Sequence, residues 1–386
     1  MESNHLVLRI VSSLGICAVL AACASSGNSE SIAPFTTIAQ TTGLHGARNP
    51  SATLRFTYVA DFGSDDISAY AVSDVNGALT QLPGSPFKAA HHPYGVAIDP
   101  AAAYAYVTDS DSGEISGYAV NAYTGALKQV PGSPFATGTW PHGVAVVPTG
   151  AFAYVTNSNS SNISAYAINS RTGALTPVRG SPFAAGNSPY DVAVDATGRF
   201  VYVTNRGSNN VYAYAINPSS GALTQVQGSP FTAGNTPYDV AIDPSNKFVY
   251  VTNFGSDNVS AYTINSSTGA LTPVQGSPFA AGHRAFGVAI DPSDNFAYVA
   301  DFGSDEISGY SLNTSSGALT PVKGSPFTVG QSSPHGVAID PTGSYLYVTN
   351  YNDMSGYAIN SSTGALTLID GSPFVTGSYP REVKVW

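Results

Sequence analysis

Cysteine is nearly absent from the sequence, which contains only Cys17 and Cys23. Because Cys17 falls in a segment that we expect to be removed, the mature chain would have no disulfide, no thiolate metal site and no cysteine nucleophile. Charge is also scarce, since Asp, Glu, Lys and Arg make up 10% of the residues. The 14 Lys and Arg residues are scattered and cannot neutralise a run of phosphates, which argues against a nucleic-acid partner.

Motifs of several enzyme classes are missing as well. The chain has no G-x-S-x-G elbow, no H-E-x-x-H pair and no G-x-x-x-x-G-K loop. We therefore expect no organic cofactor, and no residue group stands out as a metal site. What the chain does have is 39 glycines, 26 prolines and 23 tyrosines, together with many β-branched residues. This composition indicates an all-β protein rich in turns.

An apolar segment at residues 10–20 has the length of a signal-peptide core and is too short to span a bilayer. The Leu-Ala-Ala-Cys sequence at 20–23 follows it and resembles a bacterial lipobox, with Cys23 as the lipidated residue. We predict a signal peptide over 1–22 and a flexible tether over 23–50. The expected location is the cell envelope, lipid-anchored at the outer membrane and facing the periplasm or the cell surface. The alternative is a plain cleaved signal.

The remaining residues, 51–386, repeat themselves with a period of 48. The sequence GSPF occurs seven times, beginning at Gly84, Gly132, Gly180, Gly228, Gly276, Gly324 and Gly371. A Tyr-Val-(Thr/Ala)-(Asn/Asp) motif also occurs seven times, at Tyr58, Tyr106, Tyr154, Tyr202, Tyr250, Tyr298 and Tyr347. One residue is added near Gln331 and two are missing after Asn350. A period in the forties that holds only strands and turns is typical of a β-propeller.

Each repeat divides into four strand segments separated by turn residues, as in 237–279, which predicts seven blades of four antiparallel strands. The first motif begins in the middle of a unit, and the C-terminal segment 380–386 is an inner strand with nothing after it. Pairing Val383 and Val385 beside Phe56 and Tyr58 would complete one blade from both termini. The sequence therefore predicts a closed ring with no free edge.

The candidate site lies at the mouth of the central channel, where the loops leading to the inner strands break the symmetry of the repeat. Five of the seven histidines stand in these loops. Ligand sites favour such concave mouths. The candidate catalytic residues are His142, Asp191, Asp239, Arg284 and Arg381. The candidate ligand-binding residues are Tyr94, Trp140, Tyr190, Tyr238, His283 and His335.

Two interpretations of these residues remain open. A carboxylate of Asp191 or Asp239 beside an imidazole could activate water, or the same groups could simply line a wet channel. Arg284 could polarise a carbonyl, or the His283–Arg284 pair could belong to a loop that has drifted from the repeat. The Asn and Asp residues that end the Tyr-Val motifs are expected to cap turns rather than bind a metal.

The repeat P-x-G-V-A-I-D-P, followed by Y-V-T-N and T-G-A-L-T-P-V, resembles the YVTN-type seven-bladed propellers of the lactonase family, which includes 6-phosphogluconolactonases. The resemblance covers 51–386. It implies hydrolysis of a sugar lactone at the channel mouth without an organic cofactor. It also implies a Glu after the Y-V-T-N strand, whereas no Glu stands at that position in any repeat of this chain.

Two functions follow as hypotheses. The first is an envelope-anchored module that binds a small molecule, a glycan or an envelope protein through the channel-mouth face. The alternative is a hydrolase of a sugar or acyl lactone, in which His142 or the pair Asp191 and Asp239 activates water and Arg284 or Arg381 stabilises the oxyanion. In either case we expect a monomer that touches the membrane only through its lipid anchor.

Overall fold

The computed structural model describes residues 55–330 and 333–386. The predicted signal peptide, the lipidation site Cys23, the tether over 23–50 and the added residue near Gln331 lie outside the described residues. All regular elements in the described ranges are β-strands. Within those ranges no helix is long and apolar enough to cross a membrane.

The strands form seven sheets, and each sheet is one blade in which an inner strand is followed by a second strand, a third strand and an outer edge. The inner strands are Pro93–Ile98, Pro141–Val146, Pro189–Val194, Pro237–Ile242, Ala285–Ile290, Val337–Ile339 and Pro380–Val385. The second strands are Arg55–Asp61, Tyr104–Asp109, Phe152–Asn157, Phe200–Asn205, Phe248–Asn253, Phe296–Asp301 and Tyr345–Thr349. All pairings are antiparallel, as predicted.

The third strands are Asp66–Val72, Glu114–Val120, Asn162–Ile168, Asn210–Ile216, Asn258–Ile264, Glu306–Leu312 and Asp353–Ile359. The outer edge begins with Leu79–Gln81, Leu127–Gln129, Leu175–Pro177, Leu223–Gln225, Leu271–Pro273, Leu319–Pro321 and Leu366–Leu368. It continues with Phe87–Lys88, Phe135–Ala136, Phe183–Ala184, Phe231–Thr232, Phe279–Ala280, Phe327–Thr328 and Phe374–Val375.

The outer edge is therefore not one strand but two short ones that pair with the same third strand. The Gly-Ser-Pro part of GSPF lies between them, because proline cannot donate a ladder hydrogen bond. The serine of the segment fills part of the gap: Ser277 Oγ accepts a hydrogen bond from the backbone N–H of Ala261 at 2.8 Å. The same bond occurs in all seven blades. The seven copies of GSPF thus maintain the fold and are not sites.

The two chain ends close the ring in one blade, as the sequence predicts, but the register differs by one residue from the predicted pairing of Val383 and Val385 with Phe56 and Tyr58. Thr57 pairs with Val385 and Val59 with Val383 in antiparallel register. The Phe56 and Trp386 rings lie 5.4 Å apart between their centroids. Because the C-terminal segment forms the inner strand of this blade, the strand Arg55–Asp61 is paired on both sides.

A second set of bonds joins neighbouring blades. The tyrosine that opens each Y-V-T-N motif is fully buried and donates its hydroxyl hydrogen bond to a glycine carbonyl in a turn of the next blade, as Tyr250 does to Gly317 at 2.9 Å. This bond is present seven times. The hydrophobic core follows the same plan, since each cluster combines residues of two adjacent blades, such as Tyr202 with Val249.

Deleting residues 380–386 should destabilise the whole ring. The deletion removes one inner strand and leaves the buried Phe56 and Val59 facing solvent, so we expect a loss on the order of 5 kcal/mol or more, comparable with the total stability of a domain. Thermal unfolding followed by circular dichroism measures it. The control is Val375→Ala, because Val375 is 80% exposed. An unchanged melting temperature in the truncated protein would contradict closure by the C-terminal strand.

Candidate functional site

Most inner strands begin with a bulge that places two consecutive residues at the channel. Six of the seven described inner strands shift register after their first residue. The threonine of the Y-V-T-N motif holds the bulge: Thr204 Oγ1 accepts from the Asp191 N–H at 3.0 Å and donates to the Tyr238 carbonyl of the next blade at 2.6 Å. A repeated structural threonine thus fixes the positions of residues that differ between blades.

The first of the two residues forms a ring of side chains across the mouth of the channel. Its members are Tyr94, His142, Tyr190, Tyr238, Phe286, His335 and Arg381. Neighbouring rings lie close together, with centroid distances of 4.5 Å for Tyr94–His142 and 4.2 Å for Tyr190–Tyr238. The hydroxyls of Tyr94 and Tyr190 hydrogen-bond to each other over His142. The mouth ring is therefore a packed layer rather than an open cleft.

The two histidines of the mouth ring are buried and neutral. His142 is 3% exposed and His335 is 2% exposed. Burial, together with the positive charge of Arg381, lowers the pKa of each imidazole to about 3. In both rings Nδ1 has no hydrogen-bond partner within the protein. A neutral imidazole of such low pKa is a weak base at neutral pH, although its free nitrogen can bind a polar ligand.

Three arginines lie on the mouth face, each with its guanidinium over aromatic rings. Arg381 lies 5.0 Å from the Phe62 centroid and 5.5 Å from that of Tyr94. Arg284 lies 5.5 Å from the centroid of Phe254. The third, Arg206, is 5.4 Å from the Tyr190 ring, and sequence reasoning missed it. The sequence feature that could have identified Arg206 is its position directly after Y-V-T-N, where the other repeats have Phe, Ser or Tyr.

His283 and Arg284 lie on the rim of the mouth and are exposed. Both are held by Asp257: its Oδ2 lies 3.0 Å from His283 Nδ1, and its Oδ1 accepts the Arg284 N–H at 2.8 Å. Arg284 has a φ of 58°, which matches the residue before the inner strand in the other blades. The segment is thus an ordinary blade segment with an imidazole and a guanidinium on the rim. Trp140, 44% exposed, lies on the same rim.

The second residue aimed at the channel is glycine in four blades and a carboxylic acid in the other three. Asp191 and Asp239 come from adjacent blades, and their carboxyl groups meet at one backbone amide. The Val240 N–H donates to Asp191 Oδ2 at 3.3 Å and to Asp239 Oδ1 at 2.7 Å. Burial and the nearby charge of Asp239 raise the pKa of Asp191 well above its usual value. The two groups form a carboxyl pair in which Asp191 keeps its proton to a higher pH than an ordinary aspartic acid.

The closing strand adds an ion pair to the same channel. Lys384 Nζ lies 2.8 Å from Glu382 Oε1. Burial lowers the pKa of Lys384, but the negative charges of Glu382, Asp191 and Asp239 raise it by more. The net effect is a raised pKa, so the lysine is charged. Sequence reasoning missed Lys384. The sequence feature that could have identified it is a lysine at the inner-strand position where the other six blades have alanine.

Beneath the mouth ring the channel encloses a cavity of about 440 Å³. The carboxyl pair, Glu382 and Lys384 line its upper part. Below them the wall consists of Ala, Val and Ile side chains from the inner strands, ending in Ile98, Val146, Val194, Ile242, Ile290, Ile339 and Val385. This volume falls in the range of small-molecule sites. Within the described ranges, no group of three or more His, Cys, Asp or Glu side chains is arranged to hold a metal ion.

The site residues predicted from the sequence thus lie in three parts of the structure. The mouth ring contains Tyr94, His142, Tyr190, Tyr238, His335 and Arg381. The layer below it contains Asp191 and Asp239. The rim contains Trp140, His283 and Arg284, where Arg284 contacts Phe254 and lies outside the channel wall.

The sequence profile of the family Lactonase, 7-bladed beta-propeller, matches this chain over 19–135, 133–185, 180–286 and 275–384. These segments cover well over half of the sequence. The protein belongs to this lactonase family. A search among curated proteins finds no match.

Solved structures share the fold of this lactonase-family propeller at low identity. A Bacteroides fragilis protein with a proposed 6-phosphogluconolactonase activity is 18% identical, with a TM-score of 0.77 over 88% of this chain and 99% of that chain. A Bacteroides uniformis protein of the same proposed activity is 18% identical, with a TM-score of 0.76 over 87% and 100%. The periplasmic gluconolactonase of Pseudomonas aeruginosa is 15% identical, with a TM-score of 0.74 over 86% and 99%. Such identities establish the fold alone.

Replacing His142 with Phe, the residue at the equivalent position 286, should improve stability in acid. The pKa of His142 in the folded protein lies below that of a histidine in the unfolded chain. The stability that the neutral imidazole contributes is therefore full above about pH 6.5 and is lost as the pH falls toward 3. Between pH 7.5 and 5 the variant should gain about 2 kcal/mol relative to wild type. Urea unfolding at both pH values measures this gain. His91→Gln, at an exposed histidine, is the control, and equal pH dependence of wild type and His142→Phe would contradict a buried neutral imidazole.

Proposed function

We propose that this protein hydrolyses a lactone inside its central channel, with Asp191 and Asp239 as the acid–base pair. The observation that carries the proposal is the meeting of the two carboxyl groups at the Val240 amide, in a cavity large enough for a small molecule. Membership of the lactonase family supports the reaction class. The mouth-ring histidines support it less well, because their pKa values of about 3 make them weak bases.

The chemistry of such a pair follows from its shared proton. The ionised carboxylate accepts a proton from a water molecule while the oxygen of that water bonds to the lactone carbonyl carbon. The protonated carboxyl donates its proton to the carbonyl oxygen, which gives a neutral tetrahedral intermediate. The intermediate collapses when the bond between the carbonyl carbon and the ring oxygen breaks and that oxygen takes up the proton of the protonated carboxyl. One hydroxyl of the intermediate gives its proton to the other carboxylate as the new carbonyl forms, which restores the starting state of the pair. The product is a hydroxy acid, whose ionisation releases one proton for each lactone consumed.

Lys384 supplies positive charge in the same cavity. Glu382 positions its ammonium group at 2.8 Å, and Asp191 and Asp239 both act on its charge. A fixed cation in this channel stabilises the negative charge that develops on the carbonyl oxygen. The four side chains together carry two positive charges, the shared proton and the ammonium, against three carboxylates. The channel is thus close to neutral and can accept an uncharged lactone.

Amide substitutions at the carboxyl pair test the proposal directly. Asp191→Asn and Asp239→Asn should each lower kcat by about 10²- to 10⁴-fold, because neither variant can share a proton as the pair does. The assay is proton release from a panel of sugar and alkyl lactones. Wild-type kcat should fall at high pH, as the raised-pKa carboxyl of Asp191 loses its proton. Asp370→Asn, at an exposed turn, is the matched control.

The same assay locates the chemistry. If His142→Ala or Arg381→Ala abolishes turnover and Asp191→Asn retains it, the reaction takes place at the mouth ring and the carboxyl-pair assignment is wrong. Full turnover in both Asn variants would likewise contradict it.

Binding of a glycan or a protein partner on the rim is a second candidate function. Three aromatic side chains are exposed there, although large apolar residues are usually buried: Trp140 at 44%, Tyr351 at 39% and Tyr379 at 36%. The rings of Tyr351 and Tyr379 lie 4.2 Å apart and form one surface. Exposed rings of this kind suit the flat faces of sugars or an extended peptide.

Tryptophan fluorescence tests rim binding, since Trp140 and Trp386 are the only tryptophans. A bound oligosaccharide should change the emission of Trp140, and Trp140→Phe should remove the change while Trp386→Phe retains it. A saturable signal that survives Trp140→Phe, or no signal with any oligosaccharide of an envelope-derived panel, would count against this candidate.

A further inference from the structure

The polar residue that ends each Y-V-T-N motif is fully buried and faces a second polar residue across the hairpin between the second and third strands. Three blades have an amide pair here: Asn157 with Asn162, Asn205 with Asn210 and Asn253 with Asn258. Three others have an acid pair: Asp61 with Asp66, Asp109 with Glu114 and Asp301 with Glu306. The buried residue and its partner therefore change together from one repeat to another.

The amide pairs show what this buried position requires. Asn253 Nδ2 donates hydrogen bonds to Asn258 Oδ1 at 2.8 Å and to Ser260 Oγ at 2.9 Å. An ionised aspartate in the same place has no hydrogen to donate, and its charge would face a second carboxyl group. A protonated carboxyl has one O–H to donate. An acid pair can therefore replace an amide pair across the hairpin only while it holds a proton.

The acid pairs have hydroxyl partners but no cation to balance a buried charge. Ser116 Oγ donates to Asp109 Oδ2 and Ser308 Oγ donates to Asp301 Oδ2, both at 2.6 Å. In residues 55–330 and 333–386, no Lys, Arg or His forms a salt bridge with a buried aspartate of the three acid pairs. A buried carboxylate without such a partner is costly, and its neutral form is favoured.

Burial accordingly raises the pKa of Asp61 to about 8 and the pKa values of Asp109 and Asp301 to about 7. The partner carboxyl groups raise these pKa values further, and the serine hydrogen bonds lower them. The other ionisable groups around the pairs belong to the hairpin loops, the loops to the inner strands, the closing strand and the third strands. They are Asp65, Asp111, Asp305, His91, His92, His283, Arg284, Arg381, Tyr70, Tyr118 and Tyr310. None of them outweighs burial, since all three pKa values are raised.

The acid pairs lie together on the closing side of the ring. Asp61 belongs to the closing blade and pairs with Pro380, the first residue of the closing strand. Asp109 lies in the next blade along the chain, and Asp301 lies two blades before the closing blade. The three amide pairs occupy the three consecutive blades between Asp109 and Asp301. Ionisation of the acid pairs would therefore act on the half of the ring that contains the closure.

We propose that the acid pairs make closure of the propeller depend on pH: the ring is closed while each pair holds a proton, and ionisation releases the C-terminal strand. An ionised Asp61 places a buried charge beside Asp66 at the end of the strand on which Pro380–Val385 is paired. The proposal is independent of the lactone chemistry, because no acid pair lines the channel cavity.

The direction of the effect follows from the pKa values. The pKa of each buried aspartate is higher in the folded protein than the value of about 3.9 in an unfolded chain. The stability that the protonated pairs contribute is therefore full below about pH 4 and is lost as the pH rises toward 8.

Conversion of one acid pair into an amide pair tests the pH dependence. Asp301→Asn with Glu306→Asn reproduces the pair formed by Asn253 and Asn258. In urea unfolding, the folded-to-unfolded ratio of the wild type should fall roughly twentyfold relative to this variant between pH 5 and 6.5, because only unfolded Asp301 loses its proton there. Asp370→Asn, at an exposed aspartate, is the control. Equal pH dependence of the wild type and the amide-pair variant would overturn the proposal.

The reverse conversion keeps the test decisive if the amide-pair variant fails to fold. Asn253→Asp with Asn258→Glu introduces a fourth acid pair into an amide blade. At pH 5 the new pair is protonated and the protein should fold, and between pH 5 and 6.5 its folded-to-unfolded ratio should fall roughly twentyfold more than that of the wild type. A pH dependence no steeper than that of the wild type would contradict the role of the pairs.

Tryptophan emission follows the closing strand itself. Trp386 ends this strand and lies 5.4 Å from Phe56 between ring centroids, and Trp140→Phe leaves it as the sole tryptophan. Between pH 6 and 9 its emission should shift to longer wavelength as the strand is released, and should return at pH 6. Asp61→Asn with Asp66→Asn should abolish this shift. Emission that does not change with pH, or that shifts equally in the amide-pair variant, would refute release of the strand.

Discussion

The propeller depends on a hydrogen bond from a buried tyrosine hydroxyl to a glycine carbonyl of the next blade. It occurs between every pair of neighbours, and the Tyr347 bond to Gly77 completes the circle. Glycine is required in the turn because its φ is positive and because a Cβ at Gly77 would lie 2.3 Å from the ring of Tyr345. The tyrosine itself is fully buried, so its hydroxyl must find a partner. One tyrosine and one glycine per repeat therefore set the spacing of the blades and hence the width of the channel.

Because those bonds lie at the turns far from the mouth, the start of each inner strand is free to differ between blades. In five blades a threonine of the Y-V-T-N motif binds the backbone N–H of the second channel residue, which is Asp191 or Asp239 in two of them. Alanine replaces the threonine beside Glu382 and Gly287. Ring closure then adds the last component, since the C-terminal strand brings Glu382 and Lys384 into the channel. The interactions that stabilise the closing blade thus also complete the candidate site, and stability and function depend on the same strand.

The repeat predicts the fold almost completely, because its period, turn residues and half-units at the two ends specify seven blades and their closure. The split outer edge was missed, since it arises from a serine hydroxyl that substitutes for a ladder bond. The site was predictable only in part. Asp191 and Asp239 stand out in the sequence because most other repeats have glycine at their position. That both carboxyl groups accept a hydrogen bond from the Val240 N–H depends on the backbone bulge. Burial of His142 and placement of Arg284 on the rim both depend on packing between blades, which residue types alone do not report.

A crystal structure with δ-valerolactam would test the central claim that the channel is the active site. The lactam retains the ring and the carbonyl of a lactone, and its amide resists hydrolysis. The account predicts that the carbonyl lies within hydrogen-bond distance of Asp191 or Asp239 inside the channel. A lactam bound on the rim beside Trp140 and Arg284, or a channel that stays free of lactam at saturating concentration, would contradict it.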